Sequence, residues 1–487
     1  MLVPGQAPSG LPASKCIRMN EPIEELQERF PQQLLQELDT PGPRYTSYPT
    51  ADRFREPFDA GIYQAALRER AAGQRVGSRA PLSLYVHIPF CESVCYYCAC
   101  NKVVTRRHER SGPYLRALER EMELHAAVIG HAQPVSQLHL GGGTPTFLTD
   151  DELAGLMGAI HWHFKLDTQT EVSIEVDPRT AQPARLQALA DMGFNRVSFG
   201  VQDFNPEVQR AIHREQPFEQ VRELMHAARQ VGFASINTDL IYGLPLQTAE
   251  SFATTVAQVA SLRPDRIALY AYAHLPSRFK PQRRIPQAAL PAPKTRLDML
   301  SGAIAGFLTH GYSYIGMDHF ALPDDALAVA KRQGRLHRNF QGYTTQPESD
   351  LIALGVSAIG RVGPVYAQNA KTVEAYEQAL AQGGWPTVRG LQASRDDLVR
   401  RSVIMAIMCQ GRVDFEAIEC AHLVQFDDYF AAELERMAAF QARGLLEIES
   451  GCLQVTPQGW YFVRAIAMTF DKYLQTDLDR SRFSRII

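Results

Sequence analysis

Between residues 81 and 275 the chain keeps one rhythm: a short β-rich run, then a helical pattern. The runs are Leu82–Ile88, Val135–Leu140, Glu171–Val176, Arg196–Phe199, Ser235–Ile241 and Arg266–Tyr272. The helical patterns between them are Tyr114–Val128, Asp151–His163, Pro183–Met192, Phe218–Val231 and Ala249–Leu262. Strands alternating with helices predict a parallel sheet, because parallel neighbours need a long crossover and a helix supplies it. Right-handed crossovers curl such a sheet into an open or partial barrel. In these folds the chemistry sits at the carboxyl ends of the strands.

The first of those ends carries four cysteines: Cys91, Cys95, Cys98 and Cys100. Half of the eight cysteines in the chain are therefore spent in one loop. The spacing C-x3-C-x2-C places three thiolates where they can hold three corners of an iron–sulfur cube, leaving one iron open for chemistry. A zinc knuckle is the plainer alternative, but zinc sites usually pair two C-x2-C units, and no second unit is in range. A redox pair, Cys95 with Cys98, would leave Cys91 unexplained. Cys100 is open to three roles, as a ligand, a shield or a redox group, and a non-ligand role is favoured because three thiolates already serve the cube.

Other strand ends are polar too. Gly141-Gly142-Gly143-Thr144-Pro145-Thr146 follows the second run. Glycine lets a backbone approach a ligand closely, although a triple glycine alone is only a turn. Glu175-Val176-Asp177-Pro178 ends the third run, where a carboxylate can hold ribose hydroxyls or an ammonium group. Gln202-Asp203, Asp239 and Tyr272-Ala273-His274 stand at the next three ends. Singly each is an ordinary strand-end residue; together, around a cysteine loop, they describe a cofactor pocket.

The cysteine loop after a first strand and the glycine loop after a second resemble the radical S-adenosylmethionine (SAM) enzymes. Within them the chain is similar to the oxygen-independent coproporphyrinogen III oxidase (dehydrogenase) family. The residues carrying this are Arg44–Thr50 (RYTSYPT), Tyr85–Cys91, Cys98–Lys102, the glycine loop, Gly200–Phe204, Asp239–Pro245, Gly316–Phe320, His337–Tyr343 and Phe483–Ile487. The match runs from about residue 40 to the C-terminus. Tyr97, Leu140 and Ala99 depart from common family residues and remove no ligand.

The resemblance implies a fold: a partial (β/α)6 radical SAM barrel over 81–290, with an N-terminal extension and a mostly helical C-terminal domain over 391–487. Residues 1–40 would be a variable extension, 41–80 a segment packing over the active site, and 291–390 a barrel extension. It also implies roles. Cys91, Cys95 and Cys98 would bind a [4Fe–4S] cluster. Tyr85, Gly142, Glu175 and Ile359 would line the SAM that chelates the open iron. Tyr97, Gly143, Thr144, Gln202, Arg214, Asp239 and Ala273 would line a second SAM. Tyr85, Cys100 and Arg44 are the candidate catalytic residues. A 5′-deoxyadenosyl radical would remove hydrogen from the β-carbon of a propionate of coproporphyrinogen III, and loss of CO2 and an electron would leave a vinyl group. Two propionates would react, giving protoporphyrinogen IX. An electron donor such as flavodoxin or ferredoxin would serve as partner.

The substrate carries four carboxylates, so cations should line the cleft. Arg44 and Arg214 are the first candidates, with Lys102 and Arg106 behind them. The Arg44–Thr50 stretch is expected as a lid that orders over the substrate. A haem-binding chaperone of the same superfamily is a rival reading, but such relatives lack the equivalent of Cys100 and of the Arg44–Thr50 motif. A haem-opening radical SAM methyltransferase is another; the Asp318-His319 and His337–Tyr343 matches favour the dehydrogenase.

Composition limits the rest. The chain has 487 residues and a formal net charge of -3, with 50 basic and 53 acidic residues, so a polyanion partner is not expected. No apolar run is long enough to span a bilayer, and the first residues lack the pattern of a secretory signal. With scattered further cysteines, this predicts a cytoplasmic protein that acts as a monomer, away from membranes and nucleic acid. The first 18 residues are expected to be disordered, with Met19 as an alternative start and a helix near Glu24–Leu38. Toward the C-terminus, Asp396–Met408, Asp427–Arg443 and Gln458–Tyr473 read as amphipathic helices. Leu445–Glu449 and Leu453–Thr456 read as a hairpin, giving a winged-helix-like unit without a basic stripe.

Overall fold

A computed structural model describes residues 40–347 and 349–476, except 75, 76 and 78, together with 34, 37, 38 and 483. The expectations for residues 1–18, for most of Glu24–Leu38 and for nearly all of Phe483–Ile487 lie outside the described residues.

The rhythm of the sequence becomes six parallel strands in chain order: β1 (Leu82–Ile88), β2 (Gln133–Gly142), β3 (Glu171–Val176), β4 (Arg196–Gln202), β5 (Ser235–Tyr242) and β6 (Arg266–Ala271). The crossovers carry α2 (Ser111–Ile129), α3 (Asp150–His163), α4 (Pro183–Asp191), α5 (Phe218–Gln230) and α6 (Ala249–Leu262); α1 (Ala60–Ala71) precedes β1. Helix α3 starts at a capping box in which Thr149 and Glu152 satisfy each other's backbone N–H, and α6 starts the same way at Thr248 and Ser251.

The sheet does not stop at β6 or at β1. β7 (Ser313–Gly316) and β8 (His319–Ala321), which follow α7 (Pro293–Thr309), add antiparallel at the β6 edge. β9 (Leu351–Leu354) joins β1 in parallel, and β10 (Ile359–Val362), β11 (Val365–Asn369) and β12 (Thr387–Gln392) continue antiparallel. The order is β7-β8-β6-β5-β4-β3-β2-β1-β9-β10-β11-β12. The expected partial barrel with a helical C-terminal domain is therefore what forms. Residues 313–321 and 351–392 build its two edges.

Alternation along the strands sorts the side chains. Val172, Ile174 and Val176 of β3 are buried in the hydrophobic core, while Glu171, Ser173 and Glu175 face a cavity of about 170 Å3 in the barrel interior. Ser235, Asn237 and Asp239 of β5 face it likewise, whereas Ile236 and Leu240 are core. The barrel thus has an apolar outer face under helices and a polar inner face.

Beyond α8 (Val373–Ala381) and β12, the C-terminal region opens with α9 (Arg395–Gln410) and holds a three-stranded sheet of Arg412–Asp414, Cys452–Val455 and Leu446–Glu449. The expected helix over Asp427–Arg443 is interrupted: Phe430 leaves helical geometry and is fully buried, packing on Phe426 and Phe470. The expected helix over Gln458–Tyr473 is broken into Gly459–Phe462, Val463–Met468 and Lys472–Thr476. The Asp471 side chain accepts from Tyr473 N at 3.0 Å, offering the backbone a turn in place of a helical bond.

The Arg44–Thr50 stretch is a correction. Tyr45 and Tyr48 are fully buried. The Tyr45 hydroxyl donates to Asp471 Oδ2 at 3.0 Å, and Tyr366 donates to the Tyr48 carbonyl at 3.1 Å. Arg464 Nε donates to the Pro43 carbonyl at 2.7 Å. Two aromatic anchors locked into the C-terminal region make this stretch a built-in strap, not a lid that orders on binding. No helix among the described residues is long and apolar enough to cross a membrane.

Candidate functional site

The cysteine loop leaves the end of β1 and is held at both shoulders by backbone bonds. Phe90–Cys91 pairs in parallel with Val103–Val104, and Thr105 N donates to the Cys91 carbonyl at 2.9 Å. Tyr96 N reaches the Ile212 carbonyl at 2.9 Å. The glycine loop docks underneath: Gly143 N donates to the Ile88 carbonyl and Thr144 N to the Phe90 carbonyl, each at 2.8 Å. A Cβ on Gly143 would lie 2.6 Å from the Pro89 carbonyl oxygen, so only glycine permits this approach. Gly142 has φ +123°, and its missing Cβ would meet the His87 ring at 2.8 Å.

The thiols differ in environment. Burial pushes Cys91 up to about 11; Thr144 Oγ1, 3.6 Å from its sulfur, opposes this, while Cys98 and Cys95 add to it. A hydrogen bond from Cys100 holds Cys98 down at about 5, against its burial, and correspondingly raises Cys100. Cys100 itself is exposed at the loop's edge. Cys95 is buried and accepts from Arg179 Nη2 at 3.3 Å and Arg214 Nη1 at 3.5 Å. Both guanidiniums also clasp Asp177, at 2.7 and 3.1 Å. Burial alone would raise the Asp177 carboxyl, but Arg214 and Arg179 bring it to about 2.

Tyr85 and Glu175 stand at the mouth of the barrel. The Tyr85 ring stacks on His139, with centroids 6.0 Å apart and planes at 15°. Its hydroxyl lies 3.0 Å from His87 Nδ1, and His87 Nε2 lies 2.9 Å from the Asn101 carbonyl. A carbonyl only accepts, so Nε2 carries the proton and Nδ1 accepts from Tyr85. Glu175 accepts from Gly142 N at 3.2 Å and lies 3.3 Å from His139 Nε2. His139 Nδ1 is 2.6 Å from Ser173 Oγ.

Asp239 accepts from Ser198 Oγ at 3.0 Å and Asn237 Nδ2 at 2.9 Å. Burial, with Glu175 adding, pushes its carboxyl up to about 6. Gln202 ends β4 in a left-handed conformation, φ +67°, and is buried. Ala273 and Tyr97 are tied together by a residue that no sequence signal marked. The buried Gln282 donates to the Tyr97 carbonyl at 2.9 Å and the Ala273 carbonyl at 3.1 Å. Ile359 opens β10, one strand beyond β9 and two beyond β1. His139, Arg179 and Gln282 are the site residues that sequence reasoning missed. For His139 and Arg179 the available signals were a polar inward position in β2 and a basic residue two after Asp177.

The expected substrate cations separate. Arg44 lies 3.2 Å from Asp318 and 5.2 Å above the ring of Tyr270, a residue that lines the interior. Arg214 is 6% exposed, and its two terminal nitrogens donate to Asp177, Cys95 and the Gly200 carbonyl, so its guanidinium braces the cysteine loop from below. Lys102 Nζ donates to the Cys98 carbonyl at 3.0 Å, and Arg106 is exposed.

Among the described residues no three Cys, His, Asp or Glu side chains converge on one metal ion. The C-x3-C-x2-C loop would hold a cube, whose irons stand apart and take one thiolate each. The guanidiniums at Cys95 favour its thiolate, the form that binds iron.

Comparison with known proteins follows the same lines. The radical SAM superfamily model matches residues 85–259 and the HemN C-terminal domain model matches residues 393–462. Oxygen-independent coproporphyrinogen III oxidase of Escherichia coli K12 is 48% identical over 93% of this chain and 98% of that protein. The enzyme of that name from Synechocystis is 43% identical over 94% and 98%. The chain belongs to the oxygen-independent coproporphyrinogen III oxidase family. A solved structure of this family, the radical SAM enzyme coproporphyrinogen III oxidase of Escherichia coli, covers 91% of this chain and 99% of its own, with 46% identity and a TM-score of 0.86. As a radical SAM coproporphyrinogen III oxidase the chain works with a [4Fe–4S] cluster and SAM.

Proposed function

We infer that this protein carries out the oxygen-independent oxidative decarboxylation of two propionates of coproporphyrinogen III, giving protoporphyrinogen IX in porphyrin biosynthesis. The observation that carries it is 48% identity over 93% of the chain, with the cysteine loop seated on the end of β1. Each propionate gives up a hydrogen atom from its β-carbon, CO2 and one electron, and ends as a vinyl group.

When bound, the cluster and SAM supply the radical that takes that hydrogen. Cys91, Cys95 and Cys98 would hold the cluster, and Cys100 would remain outside its ligand set. Tyr85, Gly142, Glu175 and Ile359 would line the first SAM. Glu175 is suited to receive an ammonium group, because one of its oxygens is already oriented by Gly142 N at 3.2 Å. Tyr97, Gly143, Thr144, Gln202, Arg214, Asp239 and Ala273 would frame a second, with Arg214 acting through the cysteine loop. A site that keeps water and other C–H bonds away restricts a radical to its target. Arg44 would face a substrate carboxylate, with Asp318 holding its guanidinium in place.

We further propose an electron donor of the flavodoxin or ferredoxin kind, and a cytoplasmic monomer. Residues 41–80 are proposed to pack over the site, 81–290 to be the barrel, 291–390 its extension and 391–487 the helical C-terminal domain. The test is anaerobic: reduced, reconstituted protein with SAM and coproporphyrinogen III should release two CO2 per protoporphyrinogen formed. Haem binding without any CO2 release would sink the enzyme reading in favour of a carrier. Iron and sulfide content, with an electron paramagnetic resonance signal after reduction, reads the cluster independently.

A further inference from the structure

Arg179 follows Asp177 by two residues, past Pro178, and no cofactor or substrate contact is assigned to it. Its side chain is held from several sides. Nε donates to Asp177 Oδ1 at 3.0 Å and Nη2 to Oδ2 at 2.7 Å, a two-pronged pairing that fixes the plane of the guanidinium. The backbone N of Arg179 donates to the same carboxylate at 3.1 Å, and Nη1 reaches the His213 carbonyl at 3.3 Å. A brace between the end of β3 and the His213 turn would be complete with those bonds. Yet Nη2 also donates to the Cys95 sulfur at 3.3 Å. Arginine can serve both partners because its donors lie in one rigid plane, whereas lysine carries a compact point charge.

The three thiols of the loop differ in this respect. Cys91 lies 3.6 Å from the Thr144 hydroxyl, and Cys98 is flanked by Cys100 and Lys102. Cys95 is buried, and two guanidiniums reach it, Arg179 at 3.3 Å and Arg214 at 3.5 Å. The two share one carboxylate, Asp177, so two positive charges meet one negative charge beside this sulfur. One electron entering a [4Fe–4S] cluster adds one negative charge and breaks no bond. Fixed positive charge and N–H···S bonds at a cluster thiolate favour that more negative state, because electrostatic attraction is strong where water is scarce. Arg179 is the outer of the two cations: its side chain is 18% exposed, whereas Arg214 is buried. A change at Arg179 therefore disturbs the core less than one at Arg214.

We propose that Arg179 tunes the reduction potential of the cluster through its bond to Cys95, making one-electron reduction easier. Asp177 sets how much of the positive charge that sulfur feels. Arg179 acts through Cys95 and not on the substrate. This rests on the cluster assigned above to Cys91, Cys95 and Cys98.

The test is a redox titration of reconstituted protein without SAM, followed by the paramagnetic signal of the reduced cluster, beside iron and sulfide content. Arg179→Met should keep iron and sulfide but lower the ratio of reduced to oxidised cluster about tenfold at a given poise. For a one-electron couple that is a shift of about 59 mV to more negative potential. Arg179→Lys keeps the charge and gives up the planar fork, so its midpoint should lie between those of wild type and Arg179→Met. Asp177→Asn removes the opposing negative charge and should move the potential the other way. An unchanged midpoint in Arg179→Met overturns the proposal. So does a shift of the same sign in Arg179→Met and Asp177→Asn, the mark of a disturbed loop. Loss of iron from both Arg179→Met and Arg179→Lys also overturns it, and makes Arg179 a structural brace. A failed cluster assignment looks different: the wild type itself would hold no iron and sulfide.

Discussion

At the scale of single residues, the cysteine loop separates ligands from a neighbour. Cys91 lies beside Thr144 of the glycine loop and Cys95 is clasped by two guanidiniums, whereas Cys100 is exposed and hydrogen-bonds Cys98. Replacing any of the first three with alanine should reduce bound iron and sulfide to near background. Cys100→Ser should keep both at the wild-type level, with the reduced-state paramagnetic signal retained. Iron loss in Cys100→Ser would make it a ligand. Gly143 gives a second prediction. A methyl group 2.6 Å from the Pro89 carbonyl oxygen forces the two loops apart. Strain of this kind costs about 1–3 kcal/mol, so Gly143→Ala should weaken SAM binding roughly tenfold or more. Equilibrium dialysis with labelled SAM would show it, and unchanged affinity would place SAM elsewhere.

At the scale of elements, one buried carboxylate joins three pieces of the fold. Glu121 on α2 is 1% exposed. It accepts from Tyr376 Oη of α8 at 2.6 Å, Gly355 N at 2.8 Å and Asn369 Nδ2 of β11 at 2.7 Å. Its neighbour Tyr114 donates to the His87 carbonyl at 2.7 Å and accepts from Val356 N at 2.9 Å. The turn after β9 is thereby fixed against the end of β1. Glu121→Ala strands three buried donors and opens a hole, which should cost about 3–5 kcal/mol and show as a clear fall in melting temperature. The pH dependence has a definite sign. Burial, against the three donors, pushes this carboxyl from its ordinary 4.5 up to about 7. The raised group contributes its full stability below pH 4.5 and loses it as pH rises through 7. The loss is on the order of 3 kcal/mol. Relative to Glu121→Gln, the wild type should therefore be favoured more at pH 5 than at pH 7.5. A melting-temperature difference that is flat with pH would contradict this.

At the scale of the whole molecule, the strap Arg44–Thr50 binds the two ends of the chain to each other. Tyr45 and Tyr48 are buried among Asp471, Tyr473 and Tyr366, and Arg464 reaches back to the Pro43 carbonyl. The same strap sets Arg44 beside Asp318 and over the Tyr270 ring. Its removal should therefore act on stability before it acts on substrate. Tyr48→Ala should destabilise by about 3–5 kcal/mol, the range for emptying a large aromatic site. Tyr45→Phe, which keeps the ring and deletes the bond to Asp471, should cost about 1 kcal/mol. Thermal melts of the two variants against wild type check both. Equal small losses would mean the strap is only loosely seated.

The sequence by itself determined the six-strand core and its site. Alternating runs carry strand identity locally, so β1 and β3 could be bounded from the sequence alone as Leu82–Ile88 and Glu171–Val176. Even the polar lumen was written in β3 and β5, where every second residue is polar although a parallel sheet normally buries both faces. The cysteine and glycine loops were legible because their chemistry depends on spacing along the chain. The tertiary structure alone decided the rest. Strands β9–β12 are short, and they complete the sheet only by meeting β1, a contact of long sequence separation that no local pattern encodes. The same holds for Arg214, which reaches Cys95 across 119 positions of chain, and for the strap, whose Pro43 meets Arg464 across 421 positions.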